Sequence, residues 1–151
     1  MNFVRDKNVM GMVASREGLV LVQPTTFMNL NGKTVLRAMR KYEVEAPDVT
    51  VVHDDVETAL GKIAVRLGGG ARGHNGIRST MNCLGTDQFR RVRVGVGRPS
   101  DKTADLADFV LAKFSREEQK VLDQVAEKAI DDLLASLFPS GFEAKEQTLG
   151  G

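Results

Sequence analysis

Two short apolar runs separated by a stretch of helical periodicity limit this chain to a fold that mixes strands and helices. The runs are LVLV at 19–22 and VTVV at 49–52, and uninterrupted runs of this length predict strands buried on both faces of a parallel or mixed sheet. A helix is predicted between them, starting at Asn31 or Gly32, because apolar residues then recur every three or four positions. These residues are Val35, Leu36, Met39 and Tyr42.

The same patterns continue toward the C-terminus. The segments KIAVRL (62–67) and FRRVRVGV (89–96) alternate polar and apolar residues, as half-buried strands do. Residues 74–84 have helical character, and Gly85 is the expected C-cap. No internal repeat or linker interrupts the 151 residues, so one domain is expected.

The last predicted element is a long amphipathic helix that packs on the body of the domain. Ser115 and Glu118 have the spacing of a capping box, and apolar residues follow at helical spacing as far as Leu137. Pro139 and Gly141 are expected to end this helix. The domain is therefore predicted to cover 1–142, with a disordered tail at 143–151.

Composition and charge exclude several classes of protein. The chain is 42% apolar and 27% charged, which excludes a disordered or collagen-like chain, and no stretch approaches the roughly 18 apolar residues of a membrane span. The single Cys83 favours a reducing compartment. Residues 62–98 contain eight basic residues and one acidic residue. This segment is either a solvated basic face or a phosphate-binding surface, and charge alone leaves both interpretations open.

Three polar residues follow the VTVV run at the predicted carboxyl end of its strand. They are His53, Asp54 and Asp55, and open α/β sheets place ligand-contacting groups at such strand ends. The alternative is that they only begin a turn. A metal site is disfavoured, because adjacent side chains on an extended chain point in opposite directions.

A glycine-rich loop precedes the helix predicted at 74–84. Gly68, Gly70 and Gly73 match G-x-G-x-x-G, but a dinucleotide fingerprint also needs an acidic residue at the end of the next strand, and Asp87 instead precedes that strand. The loop can still bring backbone N–H groups close to a phosphate. Asn75 in this loop and Asn29 after the first strand are either turn residues or amides that bond a reacting carbonyl.

Five segments, in this order, resemble successive motifs of the bacterial-type peptidyl-tRNA hydrolases. They are PTTFMNLNGK (24–33), VHDD (52–55), LGGGARGHNG (67–76), RVRVGVGRP (91–99) and DFVLAKFS (108–115). The resemblance covers almost the whole chain. It implies an α/β fold in a single domain, with a twisted mixed β-sheet flanked by helices and the C-terminal amphipathic helix packed on it.

The resemblance also implies roles for particular residues. In the family a His activates water to attack the ester between peptide and tRNA, and a carboxylate orients that His; Asp54 matches the carboxylate, and Asn29 and Asn75 match catalytic asparagines. Further residues match positions that contact the substrate or tRNA: His74, Met28, Gly73, Arg66, Arg93 and Arg72. Ala64 departs from the family, which often has a second basic residue there.

The family's opening motifs, G-L-G-N-P-G and then T-R-H-N with the catalytic His, are not found in the chain. Neither His53 nor His74 matches that His. The sequence therefore predicts an N-terminally incomplete member of the family, whose activity as a hydrolase depends on the longer parent.

The expected partner is peptidyl-tRNA, and the expected reaction is hydrolysis of its ester bond. No cofactor, metal or membrane is expected, and the protein is predicted to be a monomer in the cytoplasm or mitochondrion. The runner-up is a non-catalytic RNA-binding member, like the family's intron-splicing factors. A dinucleotide-binding enzyme is a third, weaker alternative.

Overall fold

The computed structural model describes residues 2–16, 18–98 and 115–137, and these residues divide into two compact units. The first unit includes residues up to 49 together with 67–90, and the second includes 50–66 and the described residues from 91 onward. Strands and helices occur in both units. The predicted α/β class is therefore confirmed.

The first unit contains an antiparallel sheet with a small core. Its strands are β1 (Val4–Asp6), β2 (Gly11–Arg16) and β3 (Leu19–Pro24), in the order β1-β2-β3. A 3-10 turn at Met28–Leu30 leads into helix α1 (Asn31–Tyr42), and a second 3-10 turn follows at Ala46–Asp48. The core joins Val9, Val13 and Ala38 to the half-buried Val20, Val22 and Tyr42. The helix predicted from Asn31 is confirmed.

Helix α2 (Asn75–Leu84) packs against α1 with almost no space between the two backbones. The Gly32 N–H donates to Ser79 Oγ at 2.9 Å, and a Cβ on Gly32 would lie 2.2 Å from the Ser79 carbonyl oxygen. Gly85 adopts the left-handed conformation (φ 69°) at the C-cap of α2, as predicted. Glycine at the crossing point is therefore what allows the two helices to pack.

The second sheet has the order β4-β6-β5, with β4 at Thr50–Asp55, β5 at Ile63–Leu67 and β6 at Arg90–Gly95. N–H groups of Arg90 and Val96 donate to the carbonyls of Val49 and Asp55, so β4 and β6 run parallel. The Gly68 N–H bonds Phe89 O, and the Gly95 N–H bonds Lys62 O, so β5 and β6 run antiparallel. This sheet is mixed, as predicted, and the strands of the described residues form two three-stranded sheets.

Helix α3 (Arg116–Leu137) begins with the predicted capping box. The Ser115 N–H donates to Glu118 Oε1 at 2.9 Å, and the Glu118 N–H donates to Ser115 Oγ at 3.1 Å. A Cβ on Gly61 would lie 2.7 Å from Val121 Cγ1, so the start of α3 packs on the turn before β5. Pro139, Gly141 and the predicted tail at 143–151 lie outside the described residues.

The burial predicted for two strands is wrong. Leu21 on β3 is 40% exposed and Val52 on β4 is 59% exposed, whereas the apolar runs predict strands buried on both faces of a sheet. Within the described part of the chain, β3 and β4 are edge strands of their sheets. An edge strand has a neighbour on only one side, which leaves its side chains less covered than those of a central strand.

Membrane-spanning helices and metal-binding clusters are both absent from the part of the chain that the structure describes. No helix there is both long enough and apolar enough to span a membrane. No three His, Cys, Asp or Glu side chains cluster there as metal ligands would.

Asp6 and Lys41 join the first sheet to α1. In the turn after β1, Asp6 Oδ1 accepts the N–H groups of Asn8 at 2.9 Å and Val9 at 3.2 Å. Lys41 Nζ donates to Asp6 Oδ2. The hydrogen bond from Lys41, followed by that from the Val9 N–H, lowers the pKa of Asp6 below its ordinary value of 3.8, and the hydrogen bond to Asp6 raises the pKa of Lys41 above 10.5.

We predict that Gly32→Ala destabilises the protein by about 1–3 kcal/mol, because the new methyl group would overpack the α1–α2 crossing. Helix propensity alone predicts that Gly32→Ala stabilises the protein, since Ala is favoured over Gly by about 1 kcal/mol in helices. Urea unfolding measures the difference. Gly70→Ala is the control, since a Cβ there meets nothing within 4 Å, and a Gly32→Ala protein as stable as this control would contradict the prediction.

We predict that Asp6→Asn removes an acid-sensitive part of the stability. A lowered carboxyl pKa stabilises the fold above the unfolded value near 3.8, and this contribution is lost as the pH falls through the folded pKa. The amide oxygen of Asn can still accept from Asn8 and Val9. Wild type should therefore have the larger free energy of unfolding at pH 6, and its difference from Asp6→Asn should shrink below about pH 3.8 in urea titrations. A difference that does not change with pH would contradict a contribution from the ion pair.

Candidate active site

The predicted site residues are divided between the two units. The first unit contains Met28, Asn29, Arg72, Gly73, His74 and Asn75, and the second contains Asp54, Arg66 and Arg93. Each group has a distinct local structure. The first group lies at the beginnings of helices, and the second lies on the strands of the mixed sheet.

In the first unit, the α1–α2 packing brings the 3-10 turn containing Met28 and Asn29 against the beginning of α2. A Cβ on Gly76 would lie 2.9 Å from His74 Cε1 and 3.2 Å from Met28 Cγ. Gly76 therefore leaves the space in which the Met28 side chain and the His74 ring pack. Asn29 and Asn75 are both exposed, so their amides are accessible beside this contact.

His74 has a structural role that the sequence did not reveal. It is the N-cap of α2, and its Nδ1 accepts the Ile77 N–H at 3.2 Å. A ring nitrogen can accept only when it carries no proton, so the proton of the neutral ring is on Nε2. Histidine is not among the preferred N-cap residues, so no pattern in the sequence indicates this role. The ring is thereby held in one orientation at the beginning of the helix.

The glycine-rich loop enters α2 through left-handed residues. Arg72 has φ 51° and Gly73 has φ 79°, and Arg72 is exposed. Farther back in the loop, the Gly69 N–H donates to Asp87 Oδ2 at 3.3 Å. That N–H points at a carboxylate, whereas a dinucleotide fingerprint directs such groups at a phosphate. The arrangement therefore disfavours the dinucleotide alternative.

In the second unit, the acidic pair at the end of β4 divides into two environments. Asp55 is buried, and its carboxylate accepts the Glu57 N–H and the Thr58 hydroxyl, both at 2.9 Å. Asp55 therefore shapes the turn after β4, which is the alternative that the sequence left open for this motif. The Asp-x-x-Thr spacing is the sequence signal for that turn. Asp54 is half-buried, and alternation along the strand directs its side chain away from the Asp55 side.

His53 bonds the backbone of its neighbour in the strand. Its Nδ1 donates to the backbone carbonyl of Asp54 at 2.8 Å, and the two side chains leave an extended strand on opposite faces. That His53 does not replace the family's catalytic His stays a prediction.

The arginines of the basic segment have different exposures. Arg66 on β5 is exposed, and its Nη1 donates to the Val65 carbonyl at 3.0 Å. Arg91 and Arg93 on the central strand β6 are buried, at 0% and 9% exposure. Part of the charge counted along 62–98 is therefore inside the protein, and direct contact with RNA stays a prediction for Arg66, Arg72 and Arg93.

Comparison with known proteins identifies the family. Residues 2–149 match the model of the family described as Peptidyl-tRNA hydrolase. A peptidyl-tRNA hydrolase from Oceanobacillus iheyensis is 44% identical over 119 residues, which are 79% of this chain and 63% of the relative. One from Dehalococcoides mccartyi is 40% identical over 129 residues, 84% of this chain and 68% of the relative. The chain belongs to the peptidyl-tRNA hydrolase family, and it spans about two thirds of the length of these relatives.

A solved structure supports the same assignment. The crystal structure of peptidyl-tRNA hydrolase from Acinetobacter baumannii superposes with a TM-score of 0.81 at 26% identity. The match covers 92% of this chain and 72% of that protein. The arrangement of strands and helices described above is therefore the fold of this family.

We predict that His74→Ala lowers the free energy of unfolding by about 1 kcal/mol, because the Ile77 N–H loses its acceptor at the N-terminus of α2. His74→Asn should retain most of the stability, since Asn is a strong N-cap. Urea midpoints of the two variants and wild type measure the effect. If His74→Ala and His74→Asn destabilised the protein equally, the hydrogen bond from the Ile77 N–H to the N-cap side chain would contribute little to stability.

Proposed function

We propose that this chain carries the carboxylate, the amides and the tRNA-binding groups of a peptidyl-tRNA hydrolase site. The observation that carries the proposal is the contact between the Met28–Leu30 turn and the beginning of α2, in a chain of this family. It supports a shared substrate-holding role for Asn29 and Asn75. The proposed substrate is peptidyl-tRNA; a monomeric state and a cytoplasmic or mitochondrial location stay predictions.

The proposed reaction is hydrolysis of the ester between the peptide and the ribose of tRNA. A general base removes a proton from water, whose oxygen attacks the ester carbonyl carbon. The bond from that carbon to the ribose oxygen then breaks, and the proton passes to the leaving oxygen. The products are a free peptide acid and a tRNA with its hydroxyl restored, so no cofactor is consumed.

Each proposed residue has a part in this scheme. Asp54 orients the base and stabilises its protonated form, as carboxylates do beside catalytic histidines. The amides of Asn29 and Asn75 donate hydrogen bonds to the peptide end and the developing oxyanion. Met28, Gly73 and His74 contact the substrate, while Arg66, Arg72 and Arg93 contribute positive charge toward the tRNA.

The general base is the one component that these 151 residues are not proposed to supply. His53 bonds the Asp54 backbone carbonyl, and His74 caps α2. We therefore propose that hydrolysis requires the family's T-R-H-N segment joined to this chain, whereas tRNA binding does not.

We predict that the chain extended by the family's opening segment hydrolyses labelled peptidyl-tRNA, while the 151-residue chain binds tRNA without cleaving it. In the extended protein, Asp54→Asn should lower kcat by about 10²- to 10⁴-fold, since the base loses its orienting charge. Its tRNA affinity should stay within about twofold of wild type, because a group acting on the base does not hold the RNA.

Asp48→Asn is the matched control, because it removes an exposed carboxylate in the Ala46–Asp48 turn. This variant should leave kcat unchanged. Turnover by the 151-residue chain alone would overturn the assignment of the missing base. Binding of tRNA without cleavage by either chain would favour the RNA-binding alternative.

A further inference from the structure

Helix α1 presents four cations on one exposed face. They are Lys33, Arg37, Arg40 and Lys41, all exposed, and we call them the α1 basic stripe. Their spacing of i, i+4, i+7 and i+8 places them in one row along the helix. At 1.5 Å per residue the stripe is about 12 Å long. It lies outside the basic segment 62–98 and outside the residues assigned to the active site.

This arrangement is unfavourable for the isolated helix. No acidic residue occurs in α1, and Lys33 lies in its first turn, near the positive end of the helix dipole. Arg37 is four residues from both Lys33 and Lys41, a spacing at which like charges repel. An anionic partner would relieve these repulsions.

Contacts within the protein offset only part of this charge. Lys41 pairs with Asp6, and Arg37 Nη1 donates to the neutral carbonyl of Asn8 at 3.1 Å. Among the described residues, Lys33 and Arg40 are in no ion pair. The stripe therefore keeps a positive field at the surface.

A groove adjoins the second half of the stripe. It is shallow and largely open to solvent, and it is lined by Asn8, Val9, Arg37, Arg40 and Lys41. Three of these five residues are cations of the stripe, so the groove suits a phosphate group more than a neutral or cationic ligand.

The stripe begins close in the chain to Asn29, one of the proposed substrate-holding residues of the first unit. Lys33 is four residues beyond Asn29, and α1 follows the Met28–Leu30 turn directly. An RNA whose 3′ end reaches Asn29 can therefore continue along the exposed face of α1. Phosphates follow one another at about 3.4 Å of axial rise along one strand of a DNA duplex, and on that scale a stripe of about 12 Å is long enough to meet several backbone phosphates.

We infer that the α1 basic stripe binds the phosphate backbone of the tRNA body, beyond the terminal nucleotides held at Asn29 and Asn75. This inference rests on the proposed function for its choice of RNA. Binding would release condensed counterions from the phosphates, and the affinity gained in this way falls steeply with salt.

The test compares two double variants of the 151-residue chain. Lys33→Gln with Arg40→Gln removes two stripe cations that are in no described ion pair. Arg116→Gln with Lys120→Gln removes one Arg and one Lys from the exposed surface of α3, so both variants change the charge equally. The ligands are deacylated full-length tRNA and a four-nucleotide RNA with the tRNA 3′ sequence, and Kd is measured over a range of KCl concentrations.

The stripe variant should bind full-length tRNA about tenfold more weakly near 0.1 M KCl, with the slope of log K against log salt reduced by about 2. Its affinity for the four-nucleotide RNA should match wild type. The α3 variant should match wild type with both ligands.

Unchanged tRNA affinity in the stripe variant, or an equal loss in the α3 variant, would overturn the inference. An equal proportional loss for the short RNA would also overturn it, because the stripe would then act at the terminal nucleotides. These measurements involve no cleavage, so a failure of the proposed hydrolysis leaves the result for the stripe unaffected.

Discussion

The contact between α1 and α2 at Gly32 and Ser79 is the constraint on which the first unit depends. A Cβ on Gly32 would lie only 2.2 Å from the Ser79 carbonyl oxygen, so the helices reach this distance only with glycine there. The 3-10 turn at Met28–Leu30 joins α1 directly. Its position beside His74 and Asn75 therefore follows from how closely the two helices approach.

Glycine allows close packing twice more near the site. Gly76 leaves room for the Met28 side chain against the His74 ring, and Gly73 in the left-handed conformation leads the chain into α2. The His74 ring then caps that helix. A residue proposed to contact the substrate thus also stabilises the element that carries it, which couples the shape of the site to the stability of the helix.

Charge is distributed in space differently from its distribution along the chain. The segment 62–98 is strongly basic, yet Arg91 and Arg93 are buried on β6. Residues 1–61 contain slightly more acidic than basic residues, yet α1 contains only cations among its charged residues. Summing charges over a segment mixes residues on different surfaces, while the electrostatic field that a polyanion meets depends on which side chains share a face.

The sequence by itself determined the elements and the family. Helical periodicity located α1, the Ser115–Glu118 pair located the start of α3, and the ordered motifs led to the family, because these signals depend on residues close together in the chain. Only the tertiary structure decided that β3 and β4 lie at the edges of their sheets within the described residues, and that Asp55 shapes a turn. It also decided that His74 caps α2 and that Gly32 and Ser79 meet across 47 positions. Burial and helix crossing depend on neighbours distant in sequence, and local patterns carry no information about which neighbours those are.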